Sequence, residues 1–436
     1  MTTLGVLARV RRRIERRAAI GAVVALVAGL CLAAPPATAQ TPVSAPAPTR
    51  PSLPPSGPPQ SRPVSSTDTC PEVKRDLAER AVSSRGGADA RAFCVTPVRT
   101  PGQRALPQAQ RPSARSSVPS PAPRAGETPR PGIKAIQPLP SWCYEHYNDG
   151  KWWFTRTQAC RIVRLKIDLV YRDTSGVTVR GGMTVNQFSY LYTSASLTNY
   201  QFQMQMGVLD AWGEAASGAK LSANASCSPF TLCKVIHHDF PDQPLRAGTT
   251  VGGHIGLDTS DRIRQGGYGT KLTHNTSLFW AVEKPGVASG TGIEGRIFLR
   301  CDDALPADNN TSPGCVVREY TPTLYYPMAG PLPEVARHIA DAVNAGAPNA
   351  LERLTDKTLK DKNRAVSCPP SQPRPPGKSC DEYPFASTWQ GAATGTNPTS
   401  ARMIDATQNE LGGSALNTFY RENRVLEKDW FHVRTP

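Results

Sequence analysis

From about residue 136 to residue 318 hydrophobic and polar positions alternate with period two. In "RIVRLKIDLVY", Val163, Leu165, Ile167 and Leu169 fall on one face and Arg164, Lys166 and Asp168 on the other. In "YQFQMQMGV", Tyr200, Phe202, Met204 and Met206 alternate with glutamines. That period marks half-buried strands of an antiparallel sheet. Further strands are expected at "TTVGGHIGL", "SLFWAVE" and "GRIFLRC". Together they predict an all-β, sandwich-like domain over residues 136–318, of roughly immunoglobulin-like size. Such a fold carries no activity by itself. Trp152 and Trp153 are either core residues or an aromatic ligand platform.

After about residue 319 the pattern changes. "PEVARHIADAVNAG" places Val335, Ile339 and Val343 at helical spacing with Gly346 as a stop, which predicts an amphipathic helix. A mixed-charge segment "LERLTDKTLKDKNR" follows, then a loop between Cys368 and Cys380, a strand at "ARMIDAT", a helix in "GGSALNTFYRENR" and a last strand at "DWFHVRT". Residues 319–436 are thus expected to form a small α+β unit. Residues 40–135 are rich in Pro, Ser, Ala and Arg without sustained periodicity, which predicts a largely disordered linker. One island, "CPEVKRDLAERAV", reads as a short helix closed by Cys70 and Cys94. Residues 1–39 have a basic start, an apolar run from Ala18 to Ala34 and the small-residue site Ala37-Thr38-Ala39. These predict a secretory signal peptide cleaved after Ala39, an extracellular product, free or wall-associated, and no transmembrane domain in the mature chain.

Charge alters this picture less than its total suggests. The net charge of +15 resembles a nucleic-acid footprint, but residues 1–135 hold 20 Lys/Arg against 7 Asp/Glu, residues 136–320 hold 17 against 16, and residues 321–436 hold 13 against 12. The excess lies in the N-terminal part, where a basic tail serves either as a solvated spacer or as an unspecific electrostatic hold on DNA or a cell-wall polymer. Removing Cys31 with the signal leaves ten cysteines, an even number that in an exported chain favours disulfides. Close spacing suggests five sequential bridges, 70 to 94, 143 to 160, 227 to 233, 301 to 315 and 368 to 380. No CxxC pair or His/Cys cluster has zinc spacing, which argues against a structural zinc site. His237 and His238 are read as surface residues. The product is expected to be a monomer.

The candidate chemistry sits at "SCDEYPFAST", residues 379–388. A bridge from Cys368 to Cys380 would close a loop worth about 3 kcal/mol in chain entropy and hold Asp381 and Glu382 in place. Fixed carboxylates suit hard-metal binding or activation of water; an ordinary solvated turn is the bland alternative. A base-bearing segment, a second strand and a helix beginning near Asn409 form a layout that brings a carboxylate and an amide oxygen to either side of a phosphate.

"CDEYPFAST", "QNELGGSALNTFYRENRVLEKDWFHV" and "YYPMAGPLPEVARHIADAVNAGAPNALERLTDKTLKDKNR" together resemble the NucA/NucB family of secreted bacterial deoxyribonucleases, over roughly residues 321–435. The resemblance implies a small, sequence-nonspecific DNA endonuclease of reduced ββα-metal type that uses Mg²⁺ or Mn²⁺, with DNA as substrate and RNA as a further candidate. It makes Asp381 the general base and Glu382 its support. Asn409 is the metal ligand it implies, with Asn417 and Gln408 as further candidates and Glu410 as a compensating acid. Arg424, and secondarily Arg421, are candidate phosphate clamps. Gln408, Trp389 and Gln390 stand where some relatives carry acids, and a domain that binds DNA or cell wall without cleaving is the alternative.

Overall fold

Strand-forming alternation accounts for most of the chain that the computed structural model describes, namely residues 57–64, 68–83, 90–98, 105–112, 136–173, 175–305 and 312–436. The expected signal peptide lies outside them, as do long Pro-rich stretches of the expected linker. In chain order the first part comprises β1 (Gln60–Pro63), α1 (Cys70–Ser83), β2 (Ala90–Pro97), β3 (Lys151–Phe154), β4 (Gln158–Asp173), β5 (Gly176–Ser194), β6 (Leu197–Gly213), β7 (Lys220–Ser228), β8 (Lys234–Asp239), β9 (Gln243–Pro244), β10 (Thr250–Asp258), α2 (Ser260–Gly266), β11 (Lys271–Lys284), β12 (Val287–Asp302) and β13 (Gly314–Val317). These thirteen strands form one curled sheet whose main path runs β8-β10-β6-β5-β4-β2-β12-β11-β7-β9. The halves meet at a single parallel pairing, Ala92 of β2 with Ala288 of β12. The middle of the chain is therefore mostly β, and its two layers belong to one continuous sheet rather than to two separate ones.

Inside the curl, Phe202, Met204 and Met206 of β6 meet Leu278 of β11 and Ile297 and Leu299 of β12, all fully buried. The alternate residues Gln201, Gln203 and Gln205 were expected to face water, yet they too are buried. A second layer covers part of that polar face: Leu106, Leu139, Cys143 and Tyr147 pack on Ile162, Phe188 and Tyr190. Gln137 N–H donates to Gln203 Oε1 at 2.6 Å. Trp152 is core, and Trp153 stacks on His146 at 3.4 Å between ring centroids.

The expected linker is corrected in part. Its β1 pairs with β3, and its β2 pairs with β4 through eight residues. Phe93 and Val95 of β2 enter the core. A short segment is stabilised by the sheet it joins, so it needs no long periodic pattern of its own.

The second part comprises β14 (Thr323–Tyr325), α3 (Pro333–Asn344), β15 (Ala350–Glu352), α4 (Lys357–Ser367), β16 (Lys378–Tyr383), β17 (Ser400–Asp405), α5 (Ala406–Glu422) and β18 (Trp430–Arg434). A three-stranded sheet β14-β18-β15 and an antiparallel pair β16-β17 share a core with α3 and α5. α5 starts at Ala406, not near Asn409, because Asp405 caps it by accepting the Gln408 N–H at 3.0 Å. Gly412 permits close packing, since a β-carbon there would lie 3.2 Å from Val335 of α3. All five sequential disulfides are present.

A buried ionic junction joins the two parts. Arg424 is 1% exposed and Asp302, at the end of β12, is 0% exposed. Arg424 donates from Nε and Nη2 to Asp302, and from Nη1 to the carbonyls of Ala195 and Ser312 at 2.7 and 2.8 Å. Arg300 bridges Asp302 and Asp429. Arg156 donates to the carbonyls of Asn423 and Tyr320 at 2.6 and 2.9 Å.

Candidate active site

β16 and β17 pair in a register that sets Asp381 opposite Arg402, and α5 follows β17 without a loop. The Cys368–Cys380 bridge ties the end of α4 to β16 one residue before Asp381. In the first turns of α5, Asn409 Nδ2 donates to Ser379 Oγ at 2.9 Å and to the Cys380 carbonyl at 3.0 Å. The amide is thereby turned so that Oδ1 is the atom left for a ligand. Asp381 and Asn409, 28 positions apart in sequence, become neighbours across a strand and a helix end.

Asp381 is 9% exposed, and its Oδ2 lies 2.6 Å from His338 Nδ1. A carboxylate only accepts, so Nδ1 carries the proton. His338 is fully buried on α3, and its Nε2 lies 3.0 Å from Ser400 Oγ. The imidazole is thus fixed from both sides, and Asp381 Oδ1 remains the free oxygen. Sequence reasoning missed His338. Its signal was a titratable residue on the apolar face of "PEVARHIADAV", three residues after Val335.

Glu382 makes no hydrogen bond to Asp381, so the support expected of it is supplied by His338. Glu382 instead lies 3.7 Å from Arg364 Nε of α4. Burial raises its carboxyl above the usual range, Arg364 opposes this, and neighbouring Asp381 adds to it.

An open cleft of about 1080 Å³ gathers these groups. Asp381, Glu382, Asn409, Glu410 and Asn417 all line it. Lys357, Lys360 and Arg364 contribute cations from α4, at spacings that keep them near one helical face. The donor set consists of carboxylate and amide oxygens, which fit a hard divalent cation such as Mg²⁺ or Mn²⁺.

Three expected site residues are elsewhere. Gln408 Oε1 accepts the Glu334 N–H at 2.9 Å, so its oxygen serves the first turn of α3 rather than a metal. Arg424 is held in the junction with β12, where its guanidinium has no access to a phosphate in the cleft. Arg421 does not line the cleft; its Nη2 lies 3.5 Å from Thr418 Oγ1. Trp389 and Gln390 are structural: Trp389 Nε1 donates to Glu427 at 2.8 Å, and Gln390 Oε1 accepts the Glu352 N–H at 2.8 Å.

No curated protein matches the chain. Residues 339–434 match the family model described as Deoxyribonuclease NucA/NucB, a span that holds Asp381, Glu382 and Asn409 and begins one residue after His338. The C-terminal domain, rather than the whole chain, is therefore the part of this protein that is similar to the NucA/NucB deoxyribonucleases.

Proposed function

We propose that the protein is an exported, metal-dependent, sequence-nonspecific endonuclease that hydrolyses DNA phosphodiester bonds in a C-terminal domain of reduced ββα-metal type. The observation that carries this reading is Asp381, held by a buried histidine 2.6 Å away, beside Asn409 in an open cleft flanked by cations. Asp381 Oδ1 takes a proton from the attacking water as the new P–O bond forms and the bond to the leaving oxygen breaks. His338 Nδ1–H fixes the carboxylate in plane and keeps its other oxygen directed at the cleft. Asn409 Oδ1, with Glu410 and Asn417 at the same wall, would hold Mg²⁺ or Mn²⁺. When bound, the ion neutralises charge on the phosphoryl group and the leaving oxygen. Lys357, Lys360 and Arg364 hold flanking phosphates, contacts that position a strand without reading its sequence. RNA offers the same phosphates and is the secondary substrate.

Export rests on the N-terminal signal pattern and the five disulfides. Among the described residues no helix is long and apolar enough to cross a membrane. The test is cleavage of supercoiled plasmid by the oxidised protein with Mg²⁺, Mn²⁺ or EDTA, alongside Asp381→Ala and Asn409→Ala. Nicking that needs the metal and collapses in both folded variants supports the proposal. Binding without cleavage under every metal would instead make the domain a DNA-gripping module.

A further inference from the structure

An edge of the curled sheet brings together three side chains that the nuclease cleft does not use. His237 and Asp239 are two residues apart on β8, so both project from the same side of the sheet. Asp239 is the register partner of His254 on β10, and His237 is the partner of Gly256. The ligand atoms of His237, Asp239 and His254 all lie within 4.8 Å of one another. His254 Nδ1 is 3.9 Å from the Asp239 carboxylate, too far for a hydrogen bond, and the two imidazole centroids are 4.9 Å apart.

His254 is the informative member. It is 1% exposed, and neither ring nitrogen has a hydrogen-bond partner among the described residues. A buried polar group left in this state is costly, and an ion that takes the lone pair of one ring nitrogen removes that nitrogen's share of the cost. His238 points the other way and places its Nε2 3.0 Å from the Ala223 carbonyl, so the adjacent histidine pair of the sequence is not the unit. The relevant pair is His237 with His254, assembled by strand register.

We propose that His237, Asp239 and His254 bind one borderline divalent transition-metal ion, with Zn²⁺ as the reference case. Two imidazole nitrogens and one carboxylate oxygen suit Zn²⁺, Co²⁺, Ni²⁺ or Cu²⁺ better than Mg²⁺ or Ca²⁺. Ligand bonds of about 2.0–2.2 Å require the donors to draw together by roughly 1 Å. His237 has the freedom to make that movement, because it is exposed and faces a glycine; a β-carbon at Gly256 would lie 3.3 Å from its own. Asp239 is only partly buried, so a fourth position stays open to solvent. The ion would cross-link edge strand β8 to β10.

The test uses the full chain without an affinity histidine tag, stripped with EDTA and then titrated with Zn²⁺ and, separately, with Co²⁺. His237→Ala is the main variant, because an exposed side chain can be removed without opening the core; Asp239→Asn is the second, and circular dichroism checks both. The parent should retain one more equivalent of Zn²⁺ after gel filtration than either variant, resist displacement by excess Mg²⁺, and show a visible Co²⁺ absorption of low coordination number that the variants lack. An ion held instead in the nuclease cleft would persist in His237→Ala and be lost in Asn409→Ala. Equal zinc content in the parent and His237→Ala, or zinc that Mg²⁺ displaces, overturns the proposal.

Discussion

Replacing Arg424 with methionine separates its two candidate roles, because a phosphate clamp and a junction residue fail differently. The substitution removes every donor to Asp302 that Arg424 supplies and the two donors to the Ala195 and Ser312 carbonyls. Asp302 keeps one cation, with Arg300 Nε at 3.0 Å. Breaking a buried ion pair by removing one partner costs about 3–5 kcal/mol. The remaining Arg300 contact puts this case near the lower end, at about 3 kcal/mol, or roughly two orders of magnitude in the unfolding equilibrium constant. Equilibrium urea unfolding followed by tryptophan fluorescence reads this loss as a lowered midpoint. Plasmid nicking per folded molecule, measured well below the transition, should stay within about twofold of the parent, an activation difference under about 0.5 kcal/mol. An unchanged midpoint with a large loss of nicking would refute the reasoning and return Arg424 to the phosphate.

Three further outcomes are expected. His338→Ala should lower kcat on the order of tenfold to a hundredfold, by analogy with loss of a partner that orients a ligand; His338→Gln should recover part of it, and an unchanged pH–rate profile in both would remove His338 from the mechanism. Glu382→Gln should raise the melting temperature in EDTA at pH 7, because Glu382 has a raised folded-state pKa through burial, and the stability linked to its protonation is lost as pH rises through that value. The advantage should shrink as pH falls through the raised folded value and be gone below about 4.3, the unfolded value, and a variant no more stable than the parent at pH 7 would contradict this. His274 is 2% exposed, bonded to Tyr200 at 2.9 Å, and lowered by burial to about 4 from 6.5, so its contribution is complete above pH 6.5 and lost as pH falls toward 4. The interval of about 2.5 units gives up to about 3 kcal/mol; His274→Asn should flatten the slope of stability between pH 6.5 and 4, and an identical slope would assign the acid sensitivity to other groups.

The alternation in "RIVRLKIDLVY" and "YQFQMQMGV" was enough to read the long strands, because a residue's inward or outward direction in a strand follows from the backbone alone. It was not enough to foresee that the glutamine face of β6 would be covered. The covering segment, residues 136–147, is short and irregular, and its partners are fixed only by tertiary packing. The same limit applies to β2, whose eight residues become a strand because β4 offers an unpaired edge. At the site, Asp381, Glu382 and Asn409 were singled out through the resemblance carried by "CDEYPFAST" and the segment after it, and they line one cleft because β16, β17 and α5 come in chain order and pack together. His338 was not, since its contact with Asp381 spans 43 residues and depends on how α3 packs against β16. Arg424 misled for a physical reason: an arginine just past a helix end reads equally well as a surface cation or as an anchor. Only Asp302, 122 residues earlier, distinguishes the two.

The position of Arg424 gives α5 two functions at its opposite ends. Asn409, in its first turns, contacts β16 and lines the cleft, whereas Arg424, just beyond its last turn, is fixed to β12 of the curled sheet. The helix has 17 residues and therefore spans about 25 Å at 1.5 Å per residue. Its axis is a rigid link between the cation-lined cleft and the larger β part. Phe419 and Tyr420 lock its last turn against Phe431 of β18, with ring centroids 5.6 and 5.4 Å away. Arg300 and Arg156 add further contacts at the same junction. A swinging nuclease domain on a flexible tether would need none of these buried charges, which are costly to desolvate unless paired. Their presence indicates that the β part holds the cleft in a fixed orientation, so that whatever surface the β part occupies also determines the direction in which the cleft around Asp381 opens.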